Sequence, residues 1–325
     1  MKAWTGERAG AHPAYRLEDL SQPVPGREQV LVRVRAVGLN LVDRFPKRAH
    51  FMHTPPSPAA TPGMEVAGEI TDVGEAVQGY CKGDRVMAMV HGGCAEYATA
   101  HQDLLMPIAP ALSWTDAAAI PVSFLTAHDA LVTNGQFRKG QSLLIQGVTT
   151  GVGLAAVQLA RLHGASFIAG TSRSAEKLER TRSLGLELGL TSTAGVAEAI
   201  LNATGGRGID VVLDHLGARV LNETLRATAT GGRVVNIGRY AGTRGEIDLE
   251  ILALRRISLI GVTFRTRSLE EHAAVVSAFM LEHAADLARG ALRPVVDKVF
   301  PFADLPQAIE RASRGEQFGK LVLEI

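Results

Sequence analysis

Residues 142–165, "SLLIQGVTTGVGLAAVQLARLHGA", decide how the chain is read. Residues 142–146 read as a short buried strand. Leu154, Val157, Leu159 and Leu162, with Ala155, Ala156 and Ala160 among them, recur at helical spacing, and Gly164 is a natural stop. Between strand and helix, Gly147, Gly151 and Gly153 form G-x-x-x-G-x-G, where dinucleotide-binding loops usually have G-x-G-x-x-G. The physical demands are shared: glycines permit a tight turn, let backbone approach a pyrophosphate and pack helix on sheet. A plain strand, turn and helix also satisfies this stretch, so its surroundings must arbitrate.

Residues 165–185, "ASFIAGTSRSAEKLERTRSLG", continue with a strand ending near Gly170 and a helix over about 174–184. In an NAD site, an acid about 20 residues beyond the glycines takes the ribose hydroxyls. Here that place holds Ser172, Arg173 and Ser174, with Lys177 one turn into the helix. An acid would repel a 2′-phosphate, whereas Arg173 and Lys177 would attract one and Ser172 would donate a hydrogen bond. NADP is therefore expected over NAD, the alternative being that both cations belong to a solvated helix start. "GIDVVLDHLG" (208–217), "GGRVVNIG" (231–238) and "RRISLIGVTF" (255–264) read as further strands. Ser268 and Glu271 have capping-box spacing before "HAAVVSAFMLEHAADLA" (272–288), which Gly290 closes. Alternating strands and helices predict a doubly wound parallel sheet with its ligand at the carboxyl strand ends, here Gly147, Gly170, Gly217, Gly238 and Phe264.

The flanks differ. "EQVLVRVRAVGLN" (28–40), "MEVAGEITDVG" (64–74), "GDRVMAMV" (83–90) and "GGCAEYATA" (92–100) predict a β-rich domain. "PVVDKVFPF" (294–302), a helix capped by Asp304 and Gln307, and a final strand "GKLVLEI" (319–325) return to that style, so the nucleotide domain reads as an insertion. At 325 residues, 46% hydrophobic and 21% charged, the chain has the composition of an ordinary globular protein. A net charge of +1 gives no bulk footprint for nucleic acid. Neither a signal-peptide core nor an apolar run of roughly 18 residues is seen, so a cytoplasmic location without membrane contact is expected. The two cysteines, Cys81 and Cys94, supply neither a disulfide framework nor a cysteine-rich metal site.

In this order the chain carries "VGLNLVDRF", "TPGMEVAGEITDVGEAVQGYCKGDRV", "GGCAEYA", "TAHDAL", "GVTTGVGLAAVQLARLHGA", "DVVLDHLG", "GGRVVNIG" and "FGKLVL". It resembles, over nearly its whole length, the medium-chain dehydrogenase/reductases, and among them the zinc-independent, zeta-crystallin-like quinone oxidoreductases. The resemblance implies an α/β protein: a GroES-like β-barrel domain over 1–121, completed by 296–325, with an inserted Rossmann domain over 122–295. It also implies a homodimer joined through the edge strand "ISLIGVTF", and a nicotinamide between the two domains.

Against the zinc alcohol dehydrogenases of the same superfamily, Asn40 stands at the first ligand cysteine and Met64 at the ligand histidine, and the cysteine-rich lobe is missing. No metal is expected, since catalytic zinc needs thiolate or imidazole ligands. Cys94 reads as packing; His50 and His53, three apart in a proline-rich loop, read as exposed or substrate-side residues rather than a metal pair. Without a Lewis acid, hydride transfer to an already electrophilic quinone or α,β-unsaturated carbonyl is the expected chemistry. By the resemblance, Asn40 and Asp43 lie near the nicotinamide, Asn40 to orient the acceptor and an ionised Asp43 to position structure. Phe45 replaces a tyrosine frequent in relatives. His53, His91 and Tyr240 remain as candidate donors, with a loop or cleft-wall role as the alternative for each. Carried over residue by residue, Thr126, Thr150, Gly151, Val152 and Gly153 face the nicotinamide half and pyrophosphate. Ser172, Arg173 and Lys177 hold the 2′-phosphate, Ser192 lies near the adenosine, and Asn236, Gly238, Arg239, Val262, Thr263 and Phe264 complete the cleft. The expected function is NADPH-dependent reduction of a small-molecule quinone, enone or enal. The rivals are an enoyl-thioester reductase, whose basic loop with Arg44, Lys47, Arg48, His50 and His53 would meet a coenzyme phosphate, the favoured alternative for that loop being a solvated surface, and an NADPH-binding protein with little catalysis.

Overall fold

The structure, a computed structural model, describes residues 1–9, 12–44, 61–191 and 194–325. Phe45, Lys47, Arg48, His50, His53 and Ser192 lie outside the described residues. In chain order the strands are β1 (Lys2–Ala9), β2 (His12–Asp19), β3 (Gln29–Leu39), β4 (Glu65–Val73), β5 (Arg85–Met89), β6 (Tyr97–His101), β7 (Leu105–Pro107), β8 (Ser142–Gln146), β9 (Phe167–Thr171), β10 (Leu188–Leu190), β11 (Ile209–Asp214), β12 (Thr228–Asn236), β13 (Ser258–Gly261), β14 (Val296–Pro301) and β15 (Lys320–Glu324). The helices are α1 (Trp114–Ala118), α2 (Pro121–His128), α3 (Gly151–Leu162), α4 (Ala175–Arg182), α5 (Val196–Ala203), α6 (Leu221–Ala227), α7 (Leu249–Leu254), α8 (Leu269–Ala288) and α9 (Leu305–Arg314). Two compact units divide them: 1–125 with 264–325, and 126–263.

The first unit is built on alternation. β3 carries valines that bury on both faces, and β15, β4 and β6 all pair with it. Its sheet runs β14-β15-β3-β4-β5-β7, antiparallel throughout except for the parallel pair β14–β15. Val30, Val32, Val66, Ile70, Leu321 and Leu323 form part of one core, and Trp4 closes it with its indole N–H donated to Phe302 O at 2.8 Å. β15 therefore sits centrally, which fixes Lys320 against the ends of β3 and β4. Helix α8 belongs to this unit, although the expected nucleotide domain reaches residue 295. Caps and period announce that helix, and its Ser268–Glu271 capping box is present. Neither signal says which unit it serves; Phe279, fully buried, meets the Phe124 ring at 6.3 Å.

The second unit is a six-stranded parallel sheet in the order β10-β9-β8-β11-β12-β13. Numbered within the unit, that is 3-2-1-4-5-6, the doubly wound order that opens a ligand crevice where the direction of winding reverses, beside β8. α3 buries eight consecutive residues, Gly153 to Ala160. Two expectations change at the far edge. The strand over 255–264 is only Ser258–Gly261, because Arg255 ends α7 and donates to Arg226 O and Thr228 O at 2.6 Å each. The expected cap pair of α9 bonds side chain to side chain, Gln307 Nε2 to Asp304 Oδ1 at 3.1 Å, with no side-chain bond to a backbone N–H.

Candidate active site

The glycine loop is held onto β9 from three directions. Val148 N–H donates to Thr171 O at 2.9 Å, Gly147 N–H to Thr171 Oγ1 at 3.1 Å, and Thr171 Oγ1 donates to the buried Gln146 Oε1 at 2.7 Å. Gln146 Nε2 passes the chain on to Thr224 Oγ1 at 3.1 Å. Gly147 has φ +83°, a conformation that favours glycine. At Gly153 a Cβ would lie 2.5 Å from Val148 O, so this glycine is required by the approach of α3 to its own loop.

Thr150 is the N-cap of α3. Its hydroxyl accepts from Gly153 N–H at 3.1 Å and donates to Gly147 O at 3.0 Å. Among the described residues, the N–H groups of Gly151 and Val152 then have no partner at the positive end of a twelve-residue helix. Such an end favours an anion. At the β9 end, Ser172 Oγ and Thr149 Oγ1 lie 3.0 Å apart. Arg173 is exposed and makes no ion pair among the described residues. Lys177 is half-buried, and its N–H donates to the N-cap hydroxyl of Ser174 at 3.2 Å.

The opposite wall of the crevice comes from β11 and β12. Asp214, fully buried, accepts from Leu216 and Gly217 N–H at 2.8 and 3.0 Å and from Asn236 Nδ2 at 3.1 Å. Asn236 also donates to Gly238 O at 3.0 Å, so its amide sets the path of the loop carrying Gly238, Arg239 and Tyr240. Arg239 is exposed, and Tyr240 is 59% exposed. His215 is buried beneath this loop, with its carbonyl accepting from Tyr240 N–H at 3.2 Å; burial pushes its imidazole down to about 4, so it is neutral at pH 7. Val262 is buried, with its N–H on Asn236 O at 3.1 Å, and Thr263 is exposed. Thr126, half-buried, lies in α2 at the start of this unit.

In the first unit the candidates cluster around a buried charge pair absent from the sequence reading. Lys320 Nζ donates to Glu65 Oε1 at 2.5 Å and to Asn40 Oδ1 at 2.8 Å. Asn40 Nδ2 donates to Glu65 Oε1 at 3.0 Å and more weakly to Gly38 O at 3.5 Å. Glu65 Oε2 accepts Val122 N–H at 2.7 Å. An Asn40 flip would set its NH2 against an ammonium and its oxygen against a carboxylate, so the amide has one orientation. Asp43 is fully buried and accepts from Asn40 N–H at 2.7 Å and Gly63 N–H at 3.1 Å. Burial pushes its carboxyl up to about 6, against those hydrogen bonds and the nearby Lys320 charge. Cys94 is buried, as its packing role requires. Phe264, the first residue of the unit's second segment, packs edge-on against His272.

Residues 26–111 match the alcohol dehydrogenase GroES-like domain family and residues 151–280 the zinc-binding dehydrogenase family. The chain is 33% identical over 314 residues to the quinone oxidoreductase of Mus musculus, covering 94% of this chain and 92% of the relative. The solved quinone oxidoreductase of Thermus thermophilus, described with its NADPH complex, superposes with a TM-score of 0.85 at 35% identity, covering 100% of both chains. The CurK enoyl reductase structure matches with a TM-score of 0.85 at 27% identity, over 99% of this chain and 98% of its own. The glycine cradle, the doubly wound order and these likenesses converge: the chain belongs to the quinone oxidoreductase branch of the medium-chain dehydrogenase/reductases, nicotinamide-dependent oxidoreductases.

Proposed function

We propose that the protein reduces a quinone or an α,β-unsaturated carbonyl with NADPH, without a catalytic metal. The carrying observation is the β9 end, where hydroxyls and an uncommitted Arg173 stand in place of an acid. The residues fit the cofactor: the open N–H groups of Gly151 and Val152 would take the pyrophosphate, and Ser172, Arg173 and Lys177 the 2′-phosphate. Bound NADPH would supply hydride to an acceptor that is already electrophilic. On the protein side, Asn40 keeps one N–H with only the long contact to Gly38 O, the group suited to orient an acceptor oxygen. Zinc does not fit beside Asn40. The amide oxygen there already accepts from the Lys320 ammonium, which would repel a dication, and Met64 offers no imidazole.

Likeness to the CurK enoyl reductase supports an enoyl-thioester acceptor as the second reading. Steady-state turnover with NADPH against 1,4-benzoquinone, a 2-alkenal and crotonyl-CoA separates the readings. The proposal requires kcat/KM for the quinone or alkenal to exceed that for the thioester, unchanged by chelator; stoichiometric zinc, or no turnover with any acceptor, overturns it. We also assign the edge strand β13 to a homodimer, because Leu259 is 41% exposed there and the strand's outer side has no partner strand among the described residues.

A further inference from the structure

We infer that Thr149 is a specificity-determining residue for the 2′-phosphate, acting as one unit with Ser172. The inference rests on the NADPH reading above and adds a residue to it. Two backbone-to-β9 bonds, from Gly147 and Val148, fix where the loop passes the strand end, and Ser172 is itself pinned by its N–H on Leu190 O at 3.1 Å. The two hydroxyls therefore meet at 3.0 Å between anchored backbones. Ser172 Oγ also accepts the long 3.4 Å contact from Ser174 N–H.

A hydroxyl pair has one proton more than its mutual bond uses. If Thr149 donates to Ser172, the Ser172 proton is left over; if Ser172 donates, the Thr149 proton is. In both arrangements the pair presents one O–H donor at the end of β9, next to Arg173, and the mutual bond fixes where that donor points; either hydroxyl alone keeps a proton but loses that orientation. A phosphate dianion only accepts hydrogen bonds, and a donor paired with a cation suits it. An aspartate in place of either hydroxyl would accept and repel. A ribose hydroxyl gains less from the pair, because it is neutral and can find water instead. Discrimination between the phosphorylated and unphosphorylated nucleotide is thereby shared by two hydroxyls on two different loops. Thr149 can hold that post because its backbone is not needed for the pyrophosphate, which the Gly151 and Val152 N–H groups would take.

The test uses binding, not turnover: calorimetric titration of the full-length protein with adenosine 2′,5′-bisphosphate and with 5′-AMP. Thr149→Val keeps the shape and removes the hydroxyl. It should weaken the bisphosphate about tenfold, the ratio of one hydrogen bond to a charged group, and leave 5′-AMP within about twofold. Thr149→Ser should restore the bisphosphate affinity. In the double variant Thr149→Val/Ser172→Ala, the loss should fall well short of the product of the two single losses, because the pair acts as one donor. Equal weakening of both nucleotides, or losses that multiply, overturns the inference while the NADPH reading stands. Wild type that prefers 5′-AMP, or binds neither, overturns the NADPH reading itself and the inference with it.

Discussion

Lys320→Met tests the buried charge pair most directly. Lys320 is 4% exposed and Glu65 fully buried, so water cannot replace the ammonium. The variant strands a carboxylate that keeps Val122 N–H at 2.7 Å and Asn40 Nδ2 at 3.0 Å but loses its only ammonium in direct contact among the described residues. Breaking such a pair from one side costs about 3–5 kcal/mol, mostly the price of the uncompensated charge. Glu65→Gln/Lys320→Met removes both charges, and should recover about half of that loss or more. Both tryptophans of the chain, Trp4 and Trp114, lie in the first unit, so their fluorescence in a urea titration reports that unit alone. A single-variant loss below about 1 kcal/mol would show that Lys320 and Glu65 do not depend on each other as a buried pair. So would a double variant whose loss equals or exceeds the sum of the two single losses.

Gly151→Val should abolish NADPH-dependent stabilisation while the protein still folds. Wild type gains about 2.7 kcal/mol at a hundredfold excess over Kd, and a full ligand shift in the variant would remove the cradle from this loop. Asp43 titrates near 3.9 unfolded and about 6 folded, so between those values the folded state holds a proton that the unfolded state has lost, and stability falls as pH rises. Asp43→Asn should thus gain about 3 kcal/mol on wild type between pH 4 and pH 6, and a difference curve without slope contradicts the buried carboxyl. His215 has the opposite sign: its folded value of about 4 lies below the unfolded 6.5, so its contribution is lost as pH falls through that window, and His215→Gln should flatten that slope. Leu259→Lys on the β13 edge should give a monomeric mass by light scattering at micromolar concentration; a monomeric wild type would end the dimer assignment.

What the sequence discloses depends on the range of the interaction. The β8–loop–α3 unit is legible because its period changes from strand to helix across three glycines, and both changes are local. β10 is not legible in the sequence because Leu188–Leu190 is three half-buried residues, too short to show a period. The sequence overstates the strand at 255–264 because an apolar run continues past Gly261, while the Arg255 bonds that hold the end of α7 join residues 27 and 29 positions apart. Lys320 and Glu65 are 255 positions apart and could not be paired by spacing. A signal was nonetheless present: each is a charge inside an apolar strand, in "MEVAG" and "GKLVL", and a charge in a central strand has to find a partner. Thr149 gave none, since a threonine in a turn is unremarkable until its hydroxyl is seen against Ser172.

Two buried carboxylates in the first unit sit in different surroundings. Glu65 has the Lys320 ammonium at 2.5 Å, and with its two other contacts it joins three separated segments: Asn40 after β3, Val122 in α2 and Lys320 at the start of β15. Asp43 receives backbone N–H groups from Asn40 and Gly63, and Lys320 acts on it only through space, so burial dominates and the carboxyl rises to about 6. The arrangement separates two properties of one residue. The Asn40 side chain is oriented by a charge pair, whereas its backbone N–H is held by a group that titrates. A pH dependence of catalysis near 6 that arises in this unit should therefore disappear in Asp43→Asn. In Lys320→Met it should persist, displaced upward, because the cation that favours the Asp43 anion is gone while the burial remains. A profile abolished by Lys320→Met and untouched by Asp43→Asn would reverse these roles.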